Sequence, residues 1–511
     1  MSSTTESRAD NAGTPAAYRE LERRFRRIAL VGNALNQLHW DQSVMMPPGG
    51  AGPRGDQIAA LAVIRHGALT DPAMDDLLAR AASQADALDD WQAANLREMR
   101  RKHAHAAALP ADLVEALSTA TSKCETIWRT ARRDADYATV LPALTEVLFL
   151  TRRKGEALSS AFGVALYDAL LDAFEPDGRS ADIDPVFDAY AAFLPDFLDD
   201  VLARQRTQPA PVLPPGPFPI ERQRALVRLM AETVGLDFGS ARLDESLHPF
   251  SAGIPEDSRI TTRYDEADFT QALMGVLHET GHAMYERGRP AAWRYQPVGE
   301  ARGMTMHESQ SLLVEMQVCR SAAFMAWAAP VIRDAFDGAG PAWDPDNLAR
   351  LALRVEPGFI RVDADEVTYP AHVILRYRLE RSMLSGDLAL ADLPGAWNDG
   401  LRALLGVTPP NDRLGCLQDI HWYDGAWGYF PTYTLGAMAA AQIFAAARRA
   451  DPSIAPALGQ GNFGPLMVWL RANIHAKGSF LSTGAILQQA TGRTLTAAAF
   501  QDHLRARYLP D

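Results

Sequence analysis

The sequence predicts a mainly α protein in two lobes with one small β-sheet, and three observations carry that expectation. Apolar residues recur at three-and-four spacing over long stretches, strand-like segments are few and short, and one proline-rich run divides the chain. With 47% apolar residues in 511, there is enough material for a substantial core, in one large domain or two to three ordinary ones.

Helical spacing, with interiors rich in Ala, Leu, Arg and Glu, predicts helices over 16–38, 54–66, 87–106, 110–134, 139–160, 184–205 and 222–234. The first twelve or so residues are polar and are expected to be disordered. The strongest break is Thr207 to Pro219, where prolines crowd into a surface connection. Residues 258–264 alternate and are β-branched, and 360–369 ends in Val367, Thr368 and Tyr369. These two segments are the expected strands of the small sheet.

Acidic residues outnumber basic ones by 63 to 50, giving a net charge of −13, which argues against nucleic acid and anionic membrane as partners. No run of eighteen apolar residues is present and the amino end is polar, so a cytoplasmic address is expected. Cys124, Cys319 and Cys416 form no CxxC pair and read as reduced packing residues.

The most informative stretch is His278-Glu279-Thr280-Gly281-His282. On a helix the second imidazole returns to within about 40° of the first, so both can ligate one ion at about 2.0–2.1 Å. Glu279 then stands beside the ion, where a general base must be to take a proton from a metal-activated water. The flanks, 269–277 and 283–287, carry apolar residues at helical spacing and no proline, so the helix is expected to form.

A hydrolytic site wants three protein ligands and an open position. The position six residues after His282 is Gly288, which excludes a third histidine there. Glu286, Glu300, Glu308 and Glu315 are the carboxylate candidates. Glu286 lies one more turn along the same helix, too far to close a compact site. Glu300 falls in a glycine-flanked loop, whereas Glu308 opens a helical pattern running to Glu315, and spacing favours Glu308 only modestly.

HETGH followed by His307-Glu308-Ser309-Gln310-Ser311 resembles the carboxypeptidase Taq family of metallocarboxypeptidases. Other family-like segments follow in chain order: Leu38 to Gln42, Met45 to Ala51, His248 to Ser251, Asp257-Ser-Arg259-Ile-Thr261, Ile360 to Asp365, Gly415 to Trp422, Gly428 to Tyr433, Asn473 to His475 and Ala490 to Arg493. The resemblance therefore covers nearly the whole chain. One departure is Leu312-Leu313-Val314-Glu315, where the family usually has a polar residue, an aromatic and Trp-Glu. It puts packing or subunit contact behind that helix in doubt, not the metal.

The resemblance implies that His278, His282 and Glu308 bind one divalent metal, expected to be zinc with cobalt or manganese as alternatives, and that Glu279 is the base. It implies a two-lobed helical fold with a deep cleft, a homodimer, and release of C-terminal amino acids from peptides with broad specificity and C-terminal proline disfavoured. Residues 13–511 are expected to form a single domain, with lobes over about 13–206 and 220–511 joined by the loop 207–219, because the Trp40–Met46 segment resembles an integral family element.

Such an enzyme must grip a free carboxylate, for which the planar fork of Arg is suited. Arg259, Arg263 and Arg361 are candidates, the alternative being an Arg that braces a loop by pairing Asp257 or Asp365. His421, Tyr429 or Tyr433 could donate a hydrogen bond to the developing oxyanion. His248 and Asp419 are expected in the same cleft, and His307 is expected to support a ligand rather than be one. An oligopeptidase cutting internal bonds and an inactive metal-bound peptide-binding protein are the rival readings.

Overall fold

The structure, a computed structural model, describes residues 13–510, so the expected disorder of the first twelve residues lies outside the described residues. Each helix read from the sequence forms: Ala16–Val44, Ala51–Leu69, Asp90–Ala107, Ala111–Asp134, Tyr137–Phe162, Ser180–Thr207 and Ile220–Val234. Ends differ where side-chain caps, not apolar spacing, decide them. Asp89 and Gln92 form a capping box that starts one helix at Asp90 rather than at 87. Two short helices, Ala73–Ser83 and Leu166–Leu171, carry too few turns to stand out as periodic.

The proline-rich run from 208 to 219 is a connection without helix or strand, tied down where Asn347 accepts from the Val212 N–H at 2.8 Å and donates to its carbonyl at 2.8 Å. The sheet has three strands, β1 (Ala241–Glu245), β2 (Ser251–Ile254) and β3 (Asp257–Thr262), in the order β1-β3-β2. β1 pairs β3 in parallel and β2 pairs it antiparallel, so β2 is an edge. Gly253, at φ +102°, makes the tight β2–β3 hairpin possible, since a Cβ there would lie 2.0 Å from the Asp257 carbonyl oxygen.

β3 is the predicted strand at 258–264, but 360–369 is not a strand. It contains a short 3₁₀ turn at Arg361–Asp363 and then enters the helix Tyr369–Ser385. The Asp365 carboxylate accepts the Val367 and Thr368 N–H groups at 2.9 and 3.0 Å, and Pro370 sits in the helix's first turn. This turn chemistry overrides the β-branched Val367 and Thr368.

The larger apolar core extends from Cys124 to Tyr508 across the proline-rich connection. A smaller one joins Tyr18, Leu21 and Phe25 of the first helix to Met74, Leu77, Leu78, Leu96 and Met99. The unusual Leu312, Leu313 and Val314 are all buried in the larger core, so the departure from the family pattern falls on packed interior positions. The first helix meets the sheet through Trp40, whose ring lies between the Arg242 and Arg259 guanidiniums at 4.8 and 4.4 Å.

Candidate metal centre and active site

The helix Phe269–Gly288 carries the HETGH motif. Asp268 caps it, accepting the Thr270 N–H at 2.8 Å, and Phe269, Leu273, Val276, Leu277 and Met284 anchor it in the core. The helix Gly303–Leu312 brings Glu308, then widens into a π-helix over Leu313–Cys319. Buried Glu175 fixes its start by accepting the Thr305 N–H at 3.0 Å, a carboxylate at the positive end of a helix.

Two glycines let three helices converge. A Cβ at Gly281 would lie 2.5 Å from the Gln310 carbonyl oxygen, and one at Gly436, on the helix Pro431–Ala450, would lie 2.7 Å from the Glu308 Cβ. Gly436→Ala is therefore expected to push the Glu308 helix aside at a cost of about 1–3 kcal/mol. Calorimetry would read this as a lower Tm, and an unchanged Tm would show that the helix yields freely.

His278, His282 and Glu308 come together, their donor atoms within 4.8 Å of one another. Glu308 Oε2 is 3.7 Å from His278 Nε2 and 3.4 Å from His282 Nε2. Ligands about 2.1 Å from one tetrahedral ion stand about 3.4 Å apart, so the donor set fits a divalent metal.

Each imidazole is held from behind at Nδ1, leaving Nε2 facing Glu308. His278 Nδ1 is 3.0 Å from Glu315 Oε2, and Glu315 in turn takes Arg320 at 2.7 Å. His282 Nδ1 is 2.7 Å from His307 Nδ1, whose Nε2 is 3.1 Å from Glu286, itself paired with Arg289 at 2.8 Å. Glu315 thus holds the His278 ring directly, and Glu286 holds the His282 ring through His307. Glu300 pairs with Lys102 at 2.7 Å and is not in the cluster. Gly288 is packed so tightly that a Cβ would meet the His475 ring at 2.4 Å.

Burial pushes the Glu308 carboxyl up, but His278 and His282 outweigh it and hold it at about 2. Glu279, buried beside them, is pushed up by burial to about 7 against the pull of His278, with Ser251 of β2 also acting to lower it. A cavity of about 970 Å³ opens here, lined by Trp40, Ser251, Ala283, Glu286 and His307 among others, between the first helix and the site. Ser251 ends the family-like segment His248 to Ser251, yet only the sheet brings β2 toward Glu279.

Arg361 is buried. Its Nη2 and Nε donate to Asp419 Oδ1 at 2.8 and 3.2 Å and its Nη1 to the Tyr369 hydroxyl at 3.2 Å, while its guanidinium lies 4.7 Å from the Tyr433 ring centre. Arg376, which no motif marks, donates through Nε to Asp419 Oδ2 at 2.6 Å. Burial raises the Asp419 carboxyl, but the two guanidiniums hold it well below the usual range. Gln418 joins the two motif segments, accepting the Arg361 N–H at 2.9 Å and donating to the Phe359 carbonyl at 3.0 Å.

Tyr433 is 3.1 Å from His421 Nε2 and its ring is 5.1 Å from that of Tyr429. Burial, with Glu308 adding to it, pushes the Tyr433 hydroxyl up to about 12 and that of Tyr429 higher, so both stay protonated donors.

Three further candidates make contacts outside the cluster. Arg259 spends its fork on Asp257, at 2.9 and 2.7 Å, and its face on Trp40. Arg263 donates to Gln271 at 2.9 Å at the surface. His248 is exposed in the loop between β1 and β2.

A helical cleft in which an HExxH helix and a second helix assemble two imidazoles and a carboxylate beside a buried glutamate defines a metallopeptidase of the HExxH class. The Carboxypeptidase Taq (M32) metallopeptidase family model matches residues 20–508. Thermostable carboxypeptidase 1 of Thermus thermophilus is 38% identical over 96% of this chain and 98% of its own length. Carboxypeptidase 1 of Bacillus subtilis is 32% identical over 95% and 96%. The solved Trypanosoma cruzi metallocarboxypeptidase 1 superposes with a TM-score of 0.95 at 40% identity, covering 96% of this chain and 99% of that one. The chain belongs to the carboxypeptidase Taq family and is a metallocarboxypeptidase.

Proposed function

We propose that His278, His282 and Glu308 hold one divalent metal, zinc in the first instance with cobalt or manganese as alternatives, and that the enzyme removes C-terminal residues from peptides with broad specificity, C-terminal proline being disfavoured. When bound, such an ion would supply Lewis acidity to a water and to the scissile carbonyl. Glu279 takes the proton of the attacking water and delivers it to the leaving amine. Tyr429, Tyr433 or His421 donates to the developing oxyanion. Arg361, with Asp419 orienting it, receives the terminal carboxylate.

The observation that carries this reading is the charge count of the group formed by Arg361, Arg376 and Asp419. Arg361 and Arg376 share the single carboxylate of Asp419, so the group holds one unmatched buried positive charge, which an arriving carboxylate would balance. The assay is amino acid release from a peptide panel, with and without a chelator, alongside metal analysis of the purified protein. Chelator-resistant release would overturn the metal reading, and efficient loss of C-terminal proline would overturn the specificity.

Glu315→Ala is expected to weaken metal binding roughly 10–100-fold, because His278 loses the carboxylate that fixes its ring. Competition against a chromophoric chelator reads this, and unchanged affinity would show that Glu315 only packs. We further propose a homodimer, a single domain over 13–511 and a cytoplasmic address. Three buried free cysteines suit a reducing compartment, and among the described residues no helix is long and apolar enough to cross a membrane. Light scattering tests the dimer.

A further inference from the structure

We infer that Glu380 is a positioning residue that fixes the Gly428–Tyr433 segment, and through it the Tyr429 and Tyr433 hydroxyls. Glu380 lies on the helix Tyr369–Ser385 and is fully buried. Its Oε1 accepts the N–H of Gly428, the residue before Tyr429. Its Oε2 and the hydroxyl of Tyr167 are both buried without a hydrogen-bond partner among the described residues, and each lies within the other's electrostatic reach.

Gly428 is held from the opposite side as well. It adopts φ +90°, and a Cβ there would lie 2.8 Å from the backbone nitrogen of Leu171. The segment is therefore clamped between a carboxyl group and the end of the helix Leu166–Leu171, with no side chain of its own to lock it. From Gly428 the chain runs into Tyr429, which meets Phe174 edge-on at 5.0 Å and Tyr433 at 5.1 Å. Loss of the Gly428 hydrogen bond would free the backbone on which those two hydroxyls are set.

Burying a carboxyl for one backbone donor is costly unless the group is neutral. Burial pushes Glu380 up to about 8, so it is the neutral acid at neutral pH. A neutral side chain with an acceptor oxygen at the same place should therefore replace it. That distinguishes a positioning hydrogen bond from a charge needed in catalysis.

This inference rests on the reading of Tyr429 and Tyr433 as oxyanion donors, which Tyr429→Phe and Tyr433→Phe test separately. The experiment compares Glu380→Gln and Glu380→Leu in the metal-loaded enzyme by amide exchange mass spectrometry of residues 425–434 and by kcat and KM. Glu380→Leu is expected to speed exchange in this segment by about tenfold or more, with the helix Tyr137–Phe162 unchanged. Its kcat should fall roughly tenfold with little change in KM, as expected when an interaction made in the transition state is misplaced. Glu380→Gln should stay within about twofold of the parent in both readouts.

Wild-type exchange in Glu380→Leu, or a Gln variant as damaged as the Leu one, would overturn the inference. If Glu380→Leu does not fold, Glu380→Asp, which withdraws the carboxyl by one methylene, takes the same two readouts. Wild-type kcat in both Phe variants with accelerated exchange in Glu380→Leu would locate the failure in the tyrosine reading, leaving the backbone clamp intact.

Discussion

Glu279→Gln is expected to retain bound metal yet lose roughly 10²–10⁴ in rate, because an amide cannot accept the water proton. The geometry makes the two halves of this result separable. Glu279 is buried next to the cluster, but it is not one of the three grouped donors. His278→Ala, His282→Ala and Glu308→Ala should instead lose metal and activity together, since each removes one of the three proposed ligands. Metal content by mass spectrometry beside single-turnover rates distinguishes the cases. A fully active Gln variant would remove Glu279 from the base role, and a metal-free one would make it a ligand. Should Glu300→Ala strip the metal while Glu308→Ala does not, the third ligand is misassigned, although Glu300 lies paired with Lys102.

The second large effect concerns the end of the peptide. Arg361→Ala is expected to cost on the order of 2–5 kcal/mol in transition-state binding, because it removes a buried charged fork. Amidating the substrate's C-terminus should cost a similar amount, while acetylating its amino end should matter little. Arg361→Lys should rescue poorly, since a point charge cannot reproduce the planar donors that now span Asp419 and the Tyr369 hydroxyl. Mass spectrometry of one peptide in free-acid, amidated and acetylated forms should show a ladder losing one residue at a time from the free acid and little from the amide. Equal cleavage of acid and amide, with internal fragments, would mean that Arg361 is not the anchor and that the cleft is open at both ends.

Arg259 and Arg361 show how far a motif alone can lead. Both sit in family-like segments and both read as candidate carboxylate anchors. Which of them has a free cationic role depends on what lies opposite after folding. Asp257, two residues away, takes the whole fork of Arg259, and Trp40 from the first helix covers its face. Arg361 shares its carboxylate with Arg376, and Arg376 carries no sequence signal because an arginine on a helix ordinarily reads as surface.

What the sequence determined by itself was whatever depends on short-range spacing. Helix period put His278 and His282 on one face with Glu279 beside them, proline density marked the connection before Ile220, and β-branched alternation marked β3. The nearly complete set of family-like segments brought Glu308 and the cleft with it. The tertiary structure decided everything that depends on two distant segments meeting. Glu315 and His307 could be found on the helix that carries Glu308, but only packing showed that they hold the Nδ1 atoms of the two imidazoles, leaving Nε2 free to face Glu308. Gly281 and Gly436 were legible as glycines. Their purpose, close approach of neighbouring helices to the one bearing Glu308, was not. The strand expected at 360–369 failed for a related reason: a side-chain cap at Asp365 outweighs β-propensity, which describes fit to a pleated surface that this segment never meets.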